Sequence, residues 1–508
     1  MLVVHALLAW YGRQIRIRTG QDDAWYFLLA RALRSFRYVD LHVVGEPFHQ
    51  LYPPGYPAAL AVWSAVGGES VDWLIAFGIL CSTAAVALTF VASRRLLGAP
   101  LALLVAAAVG LNPALLERAG MIVSEPLFVL CVMGVIALLA APEPTRGRLI
   151  AAGTLAVLAA LTRSIGVVLI GAVGLHWLLQ RRWLAAAALA VGSALTMGAW
   201  LYWTTVAPEQ FIGKSYIADA ATVVAKHTPM EILLDRSYAA ARFYLGKALP
   251  VSMHIPTLSG TWIDNAAIVA LLAVGIAAGI LAFLGRWRVA ALFLLAYGAV
   301  LFYWPWYVER YTIPLTPVVV PTVLGGLWAT GRLLRVPRAG LALGVAFVGA
   351  LVLNGAWTSV AAARDRARCD RSLPMSRQPC LIRGERAFFG ALEFIDSRYQ
   401  PDVAVGAAKA APLYYYIERK TPPVGALMGQ SDSSFVPYLR ATGTEVILLG
   451  TLHANEHDRL QRRMLANCES FDLGAEFPGG TYVFRLRPEG SGPGDGEACR
   501  AAAAHPDR

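Results

Sequence analysis

The chain has 508 residues, 57% of them hydrophobic and only 15% charged, with a mean hydropathy of +0.53 and a formal net charge of +11. A soluble domain carries more charge and shorter apolar runs, so the composition excludes a purely soluble protein. Much of the positive charge sits in arginines that close alternate short loops, and it requires no nucleic-acid partner.

Residues Met1–Gly12 are apolar but reach only about 18 Å as a helix, short of the roughly 30 Å of a bilayer core. They are expected to form a thinned first span, or to reflect a start site placed downstream of the true one. Basic residues follow this run rather than precede it, which fits a cleaved signal peptide poorly. An outer loop, 13–57, comes next. Within it, Trp25, Leu28, Leu29, Ala32, Leu33 and Phe36 recur at helical spacing, predicting an amphipathic helix over Ala24–Arg37 that lies on the membrane. Asp23 falls at its N-cap. The segment Glu46–Pro57 holds Pro47, Pro53, Pro54 and Pro57 and reads as a rigid aromatic turn.

Apolar runs long enough to cross a bilayer follow near 71–92, 98–116, 121–141, 149–162, 164–180, 183–205, 263–284, 289–304, 312–333 and 339–358. The expectation is a polytopic α-helical membrane protein with about 11 transmembrane helices. Arg94 and Arg95, Arg146 and Arg148, Arg181 and Arg182, Arg286 and Arg288, and Arg332, Arg335 and Arg338 close alternate loops, which assigns that side to the cytoplasm. The opposite side then carries Asp22–Pro57, Glu117–Gly120, Arg163, Ala207–Trp262 and Trp304–Tyr311. The long loop 207–262 is expected to cover a cleft.

Residues 1–360 thus form a membrane domain, and after about 360 the composition becomes that of a soluble one. Helices at Glu385–Arg398, Pro412–Arg419, Ser434–Ala441 and Asn455–Leu465 alternate with strands at Val403–Gly406, Glu445–Leu449 and Tyr482–Leu486. That order predicts a small extracytoplasmic α/β domain over 361–488 with a partly parallel sheet. The tail 489–508, rich in Gly, Ala and Pro, is expected to be disordered. Cys81 and Cys131 lie inside spans as small apolar residues. Cys369, Cys380, Cys468 and Cys499 belong to the outer domain, where disulfides are permitted; of three possible pairings, Cys369–Cys380 with Cys468–Cys499 is preferred.

Several charged residues have reason to do chemistry. Asp22 and Asp23 at the outer surface could supply a general base that takes a proton from an acceptor hydroxyl, or Asp23 could simply cap its helix. Glu125 opens a span, where a carboxylate is costly unless it is bonded or lines a polar cavity; it could equally complement the helix dipole. Glu117 and Arg118, a turn earlier, could pair with each other. Arg163 and Arg310 stand against the topological charge trend, and a guanidinium can hold a phosphate through two parallel bonds. The structural alternative is internal ion pairing, Arg163 with Glu125 and Arg310 with Glu309.

In chain order, the Asp22-Asp23 pair, the turn Tyr52-Pro53-Pro54-Gly55-Tyr56-Pro57, Ser124-Glu125-Pro126-Leu127-Phe128, Leu161-Thr162-Arg163, and Glu309-Arg310-Tyr311 ahead of Pro314-Leu315-Thr316-Pro317 form a set. The set resembles the GT-C superfamily, in particular the glycosyltransferase family 39 branch of protein O-mannosyltransferases and lipid A aminoarabinose transferases. The resemblance covers about residues 1–340. It implies a GT-C-type membrane enzyme of the bacterial inner membrane that moves a sugar from a polyprenyl-phosphate donor, with inversion, to a glycan, lipid or protein acceptor. It places the catalytic carboxylate at Asp22 or Asp23, a second acidic position at Glu125, and the donor phosphate at Arg163 and Arg310. His49, Tyr52 and Tyr311 fall to the substrate cleft. Many relatives carry Asp-Glu where this chain has Asp-Asp, so either aspartate could be the base. No cofactor is implied, although Asp22 with Glu125 could hold a divalent metal. The alternative function is a transporter or flippase of lipid-linked sugars, against which the nearly charge-free midspans and the acids gathered at one surface argue.

Overall fold

In a computed structural model the described residues are 1–20, 22–141, 143–206, 225, 228–255, 265–304, 306–450, 452, 454–491, 494 and 496–504. Of the loop expected over 207–262, residues 207–224, 226–227 and 256–262 lie outside them. The membrane part opens with α1 (Leu2–Tyr11), α2 (Asp22–Arg34), α3 (Gly55–Gly67) and α4 (Val71–Leu97). It continues with α5 (Ala99–Gly110), α6 (Pro113–Ala119), α7 (Glu125–Leu139), α8 (Arg146–Thr162), α9 (Val167–Leu179) and α10 (Trp183–Val206). Helices Ala266–Arg286, Arg288–Tyr303, Thr316–Leu333 and Pro337–Arg366 complete it.

Five described helices are long and apolar enough to cross a membrane: Val71–Leu97, Trp183–Thr205, Ala266–Gly285, Glu309–Leu333 and Pro337–Arg366. The span expected over 98–116 is instead a bent pair, α5 and α6, meeting at 60°. The sequence Asn112-Pro113 explains the break. Proline starts α6 where its missing N–H costs nothing, and the Asn112 side chain accepts a bond from Leu115 N at 2.9 Å. Helices Ala266–Arg286 and Thr316–Leu333 cross so closely that a Cβ on Gly326 would collide with the Gly275 carbonyl. Small residues at such a crossing let two backbones approach where lipid offers no hydrophobic drive.

The helix α2 differs from expectation in its setting. It begins at Asp22, so Asp23 sits within its first turn rather than at the cap, and all residues from Asp23 to Ala30 are buried. The expected bilayer face meets protein instead: the Trp25 ring packs edge to face on those of His42, His49 and Tyr52, while on the opposite face the Phe27 and Tyr415 rings pack edge to face at 5.0 Å. Glu117 also departs from expectation, pairing with Arg366 at 3.0 Å rather than with Arg118.

The C-terminal part holds a four-stranded sheet, β1 (Ala404–Ala407), β2 (Thr444–Leu449), β3 (Phe471–Phe477) and β4 (Thr481–Leu486), in the order β1-β2-β4-β3. The first pair is parallel and the others antiparallel. Alternating strands and helices therefore predict the partly parallel sheet, but β3 escapes notice because its burial is partial along most of its length. Both preferred disulfides, Cys369–Cys380 and Cys468–Cys499, are present. The second ties helix Gly496–Ala504 to the domain, so this part of the expected tail is helical.

This domain grips the loop 13–57 at three places. Glu385 takes two bonds from Arg18, at 3.1 and 2.6 Å, and one from Thr19 at 3.1 Å. Thr421 N donates to His42 O, and Val44 N to Thr421 O, each at 2.9 Å. Lys420 pairs with Glu46 at 2.9 Å. Charge-assisted bonds to a nearly buried carboxylate are worth about 1.5–3 kcal/mol each before desolvation. Replacing Glu385 by Ala is predicted to destabilise this junction by about 2–3 kcal/mol, seen as a lower Tm and faster tryptic cleavage between Arg13 and Arg18.

Candidate functional site

Charged side chains collect where helices on one side of the membrane part end. Asp22 opens α2, and Glu125 opens α7. Arg163 sits in extended conformation at the break between α8 and the turn leading to α9. Arg310 lies in the 3-10 stretch Glu309–Leu315 that leads into helix Thr316–Leu333. Gly55 brings the loop against the end of α8: a Cβ there would stand 2.7 Å from the Leu161 carbonyl.

These ends surround a cavity of about 470 Å³. One end is polar, formed by Asp22, Tyr26, Tyr52, Arg163, Arg310 and Tyr311. The rest is mostly apolar, including Ile165, Val168, Met197, Trp200, Leu201, Val300, Leu301 and Trp304, with Gln50, Thr162, Ser164 and Thr204 among them. Of the eight site residues expected from sequence, Asp22, Arg163, Arg310, Tyr52 and Tyr311 line it, whereas Asp23, Glu125 and His49 do not.

Asp22 is held from two sides. Arg310 pairs with its Oδ2 at 2.5 Å, and the Tyr52 hydroxyl donates to Oδ1 at 2.8 Å. Glu125 is buried behind the cavity wall and pairs with Arg163 at 2.8 Å. Arg163 also donates to Ser124 Oγ at 3.1 Å, as does the Tyr26 hydroxyl. Of the two ion pairs considered from sequence, Arg163 with Glu125 is present. Arg310 instead reaches Asp22, while Glu309 takes Lys247 at 2.8 Å. The three charges lining the cavity and Glu125 behind it thus form two neutral pairs, and an arriving anion would compete with a carboxylate for its guanidinium.

Asp23 has turned away from this arrangement. It accepts from Gln14 Nε2 at 3.2 Å, from Arg18 N at 3.4 Å and from Ala24 N at 2.9 Å. Burial pushes its carboxyl up from 3.8 to about 6, against the lowering effect of those donors. His49 is also buried, with its Nδ1 2.8 Å from Asp40 Oδ1 and its Nε2 accepting from Tyr52 N at 2.8 Å. His42, next to it, is driven down to about 4 by burial.

The residues do not fit a metal held by Asp22 with Glu125. Each carboxylate faces a guanidinium rather than the other, and among the described residues no three His, Cys, Asp or Glu side chains come together. Sequence reasoning missed Tyr26, Ser124, Trp200 and Trp304. Tyr26 alone left a usable sign, standing four residues after Asp22 and so on the same helix face.

No protein-family model matches the chain, and no curated protein sequence matches it. Its fold is shared with solved structures. ArnT from Cupriavidus metallidurans, bound to undecaprenyl phosphate, superposes with a TM-score of 0.56 at 15% identity, covering 97% of this chain and 98% of that one. The archaeal oligosaccharyltransferase AglB from Archaeoglobus fulgidus, in complex with an inhibitory peptide and a dolichol-phosphate, gives 0.54 at 12% identity, covering 99% and 77%. An Archaeoglobus fulgidus oligosaccharyltransferase in complex with Zn and sulfate gives 0.52 at 12%, covering 88% and 67%. The expected helical membrane fold with a small C-terminal sheet is thus shared with these structures.

Asp23 makes stability depend on pH. The native state keeps its proton to a higher pH than the unfolded chain, so the contribution is fully present below about pH 4 and is lost as pH rises through about 6. Asp23→Asn is predicted to flatten the fall in Tm across that window, while Asp22→Asn leaves it in place. Thermal unfolding in detergent at a series of pH values measures both.

Proposed function

We propose that the chain is a membrane glycosyltransferase that moves a sugar from a polyprenyl-phosphate donor to an acceptor hydroxyl, with inversion at the anomeric carbon. The observation that carries this reading is Asp22 paired to Arg310 at the polar end of a long apolar cavity. A polyprenyl-phosphate sugar has the matching sequence of properties: an apolar chain, one anionic phosphate and a polar sugar. The neighbours of like fold add support, since one is bound to undecaprenyl phosphate and another to a dolichol-phosphate.

In this reading the isoprenoid lies along the apolar lining and the phosphate takes Arg310, with Arg163 close by. Moving the guanidinium onto phosphate frees Asp22, which keeps its bond from Tyr52 and turns to the acceptor. The acceptor oxygen forms a bond to the anomeric carbon as its proton passes to Asp22. The bond from that carbon to the phosphate oxygen breaks, and the arginines carry the charge of the departing phosphate. Glu125 keeps Arg163 in place through a buried pair. The apolar walls keep water from competing as acceptor.

The same proposal extends to topology. The five long helices, the bent pair α5–α6, the four shorter apolar helices and α8 together would make about eleven crossings of an inner membrane. The acidic loop and the soluble domain are then outside the cytoplasm, in keeping with the arginine-rich loops opposite. Either a hexose or a pentose suits the cavity as donor sugar.

The test is transfer from a panel of radiolabelled polyprenyl-phosphate sugars by purified protein, with a membrane extract as acceptor. Asp22→Asn should lower the rate by about 10²–10⁴-fold, the usual contribution of a general base. Asp23→Asn should retain far more activity than Asp22→Asn; equal losses would contradict the assignment. Arg310→Ala should weaken binding of undecaprenyl phosphate by about 30-fold or more, because it removes the charged partner of a desolvated phosphate.

A further inference from the structure

A chain of buried contacts runs from Asp40 to the cavity. Asp40 Oδ1 accepts from Trp25 Nε1 at 2.7 Å and stands 2.8 Å from His49 Nδ1. His49 Nε2 accepts from the backbone N–H of Tyr52 at 2.8 Å, and the two rings stack with centroids 5.4 Å apart. The Tyr52 carbonyl accepts from the Tyr38 hydroxyl at 2.7 Å, and the His49 carbonyl from Trp203 Nε1 at 3.1 Å. The Tyr52 hydroxyl then donates to Asp22. Asp40 and His49 are 2% and 1% exposed, so neither can touch a substrate in the cavity.

The chemistry of these bonds fixes the state of His49. A backbone N–H can only donate, so Nε2 must be bare and the proton must lie on Nδ1, pointing at Asp40. The imidazole is therefore neutral and locked at both nitrogens. Without it, the Tyr52 N–H would lose its acceptor in a buried place, and the turn carrying the Tyr52 ring would have to rearrange.

We infer that Asp40 and His49 are positioning residues for the proposed transfer: they lock Tyr52, whose hydroxyl orients the Asp22 carboxylate and leaves its other oxygen for Arg310. This rests on the reading of Asp22 as the base. The consequence is a defect in turnover rather than in donor binding, since none of the relay atoms reaches the phosphate.

The test measures kcat for transfer and, separately, equilibrium binding of undecaprenyl phosphate. His49→Ala should lower kcat about 10–100-fold, the usual cost of removing a supporting partner of an active group, with binding nearly unchanged. Tyr52→Phe should do the same, and the double variant should lose no more than either alone, because both act through one hydroxyl. His49→Gln, whose side-chain oxygen can accept from Tyr52 N, should recover part of the loss. Additive losses, or weakened donor binding with kcat intact, would overturn the proposal. If His49→Ala fails to fold, Tyr52→Phe decides alone, since it deletes only a hydroxyl: full kcat overturns the relay. The two readings fail separately. An active Asp22→Asn refutes the base, whereas an inactive Asp22→Asn beside a fully active Tyr52→Phe refutes only the relay.

Discussion

The ion pair between Asp22 and Arg310 joins residues 288 positions apart and closes the polar end of the cavity. It ties the loop 13–57 to the stretch Glu309–Leu315 that leads into helix Thr316–Leu333, and the loop's course can be understood from it. A carboxylate and a guanidinium at a partly covered membrane surface are costly apart and acceptable together. The second pair, Glu125 with Arg163, does the same for the wall behind. The cavity is therefore neutral as it stands, and an anionic ligand enters by exchange of partners rather than by filling a vacant positive site.

Such an exchange needs a loop that holds its shape when one of its bonds is surrendered. The soluble domain supplies this. Its grip through Glu385, Lys420 and Thr421 fixes the loop at both flanks of α2, while Phe27 and Tyr415 hold the helix between. These contacts are polar at the flanks and apolar in the middle, which suits a helix covered on both faces. Asp22 can then change partners without carrying α2 away with it.

Much of the site can be read from the chain, though not its pairing. Asp22, Arg163, Arg310, Tyr52 and Tyr311 stand out as charges and aromatics at outer loop positions, and they do meet in one cavity. The choice between Asp22 and Asp23 depends on the phase of α2, which is set by Gln14 and the Arg18 backbone in the preceding loop. No local pattern encodes those partners. Arg310 has an acidic neighbour in sequence, Glu309, but backbone direction sends that side chain to Lys247 instead. His49 looks like a cleft residue by composition and proves to be buried support. For the fold, the membrane helices follow from length and apolarity, whereas α2 is misjudged because amphipathicity cannot distinguish a bilayer from a covering layer of protein. The bend at Asn112-Pro113 was legible in principle from a cap residue followed by proline, but lay hidden inside an apolar run.

The proposed exchange at Arg310 is tested most directly by a cryo-electron microscopy structure of the protein in nanodiscs with undecaprenyl phosphate. The expected result is density for the phosphate on the Arg310 guanidinium, the isoprenoid along Ile165, Met197, Leu201 and Val300, and Asp22 detached from Arg310 but still bonded to Tyr52. A bound lipid phosphate elsewhere, with the Asp22–Arg310 pair intact, would contradict it.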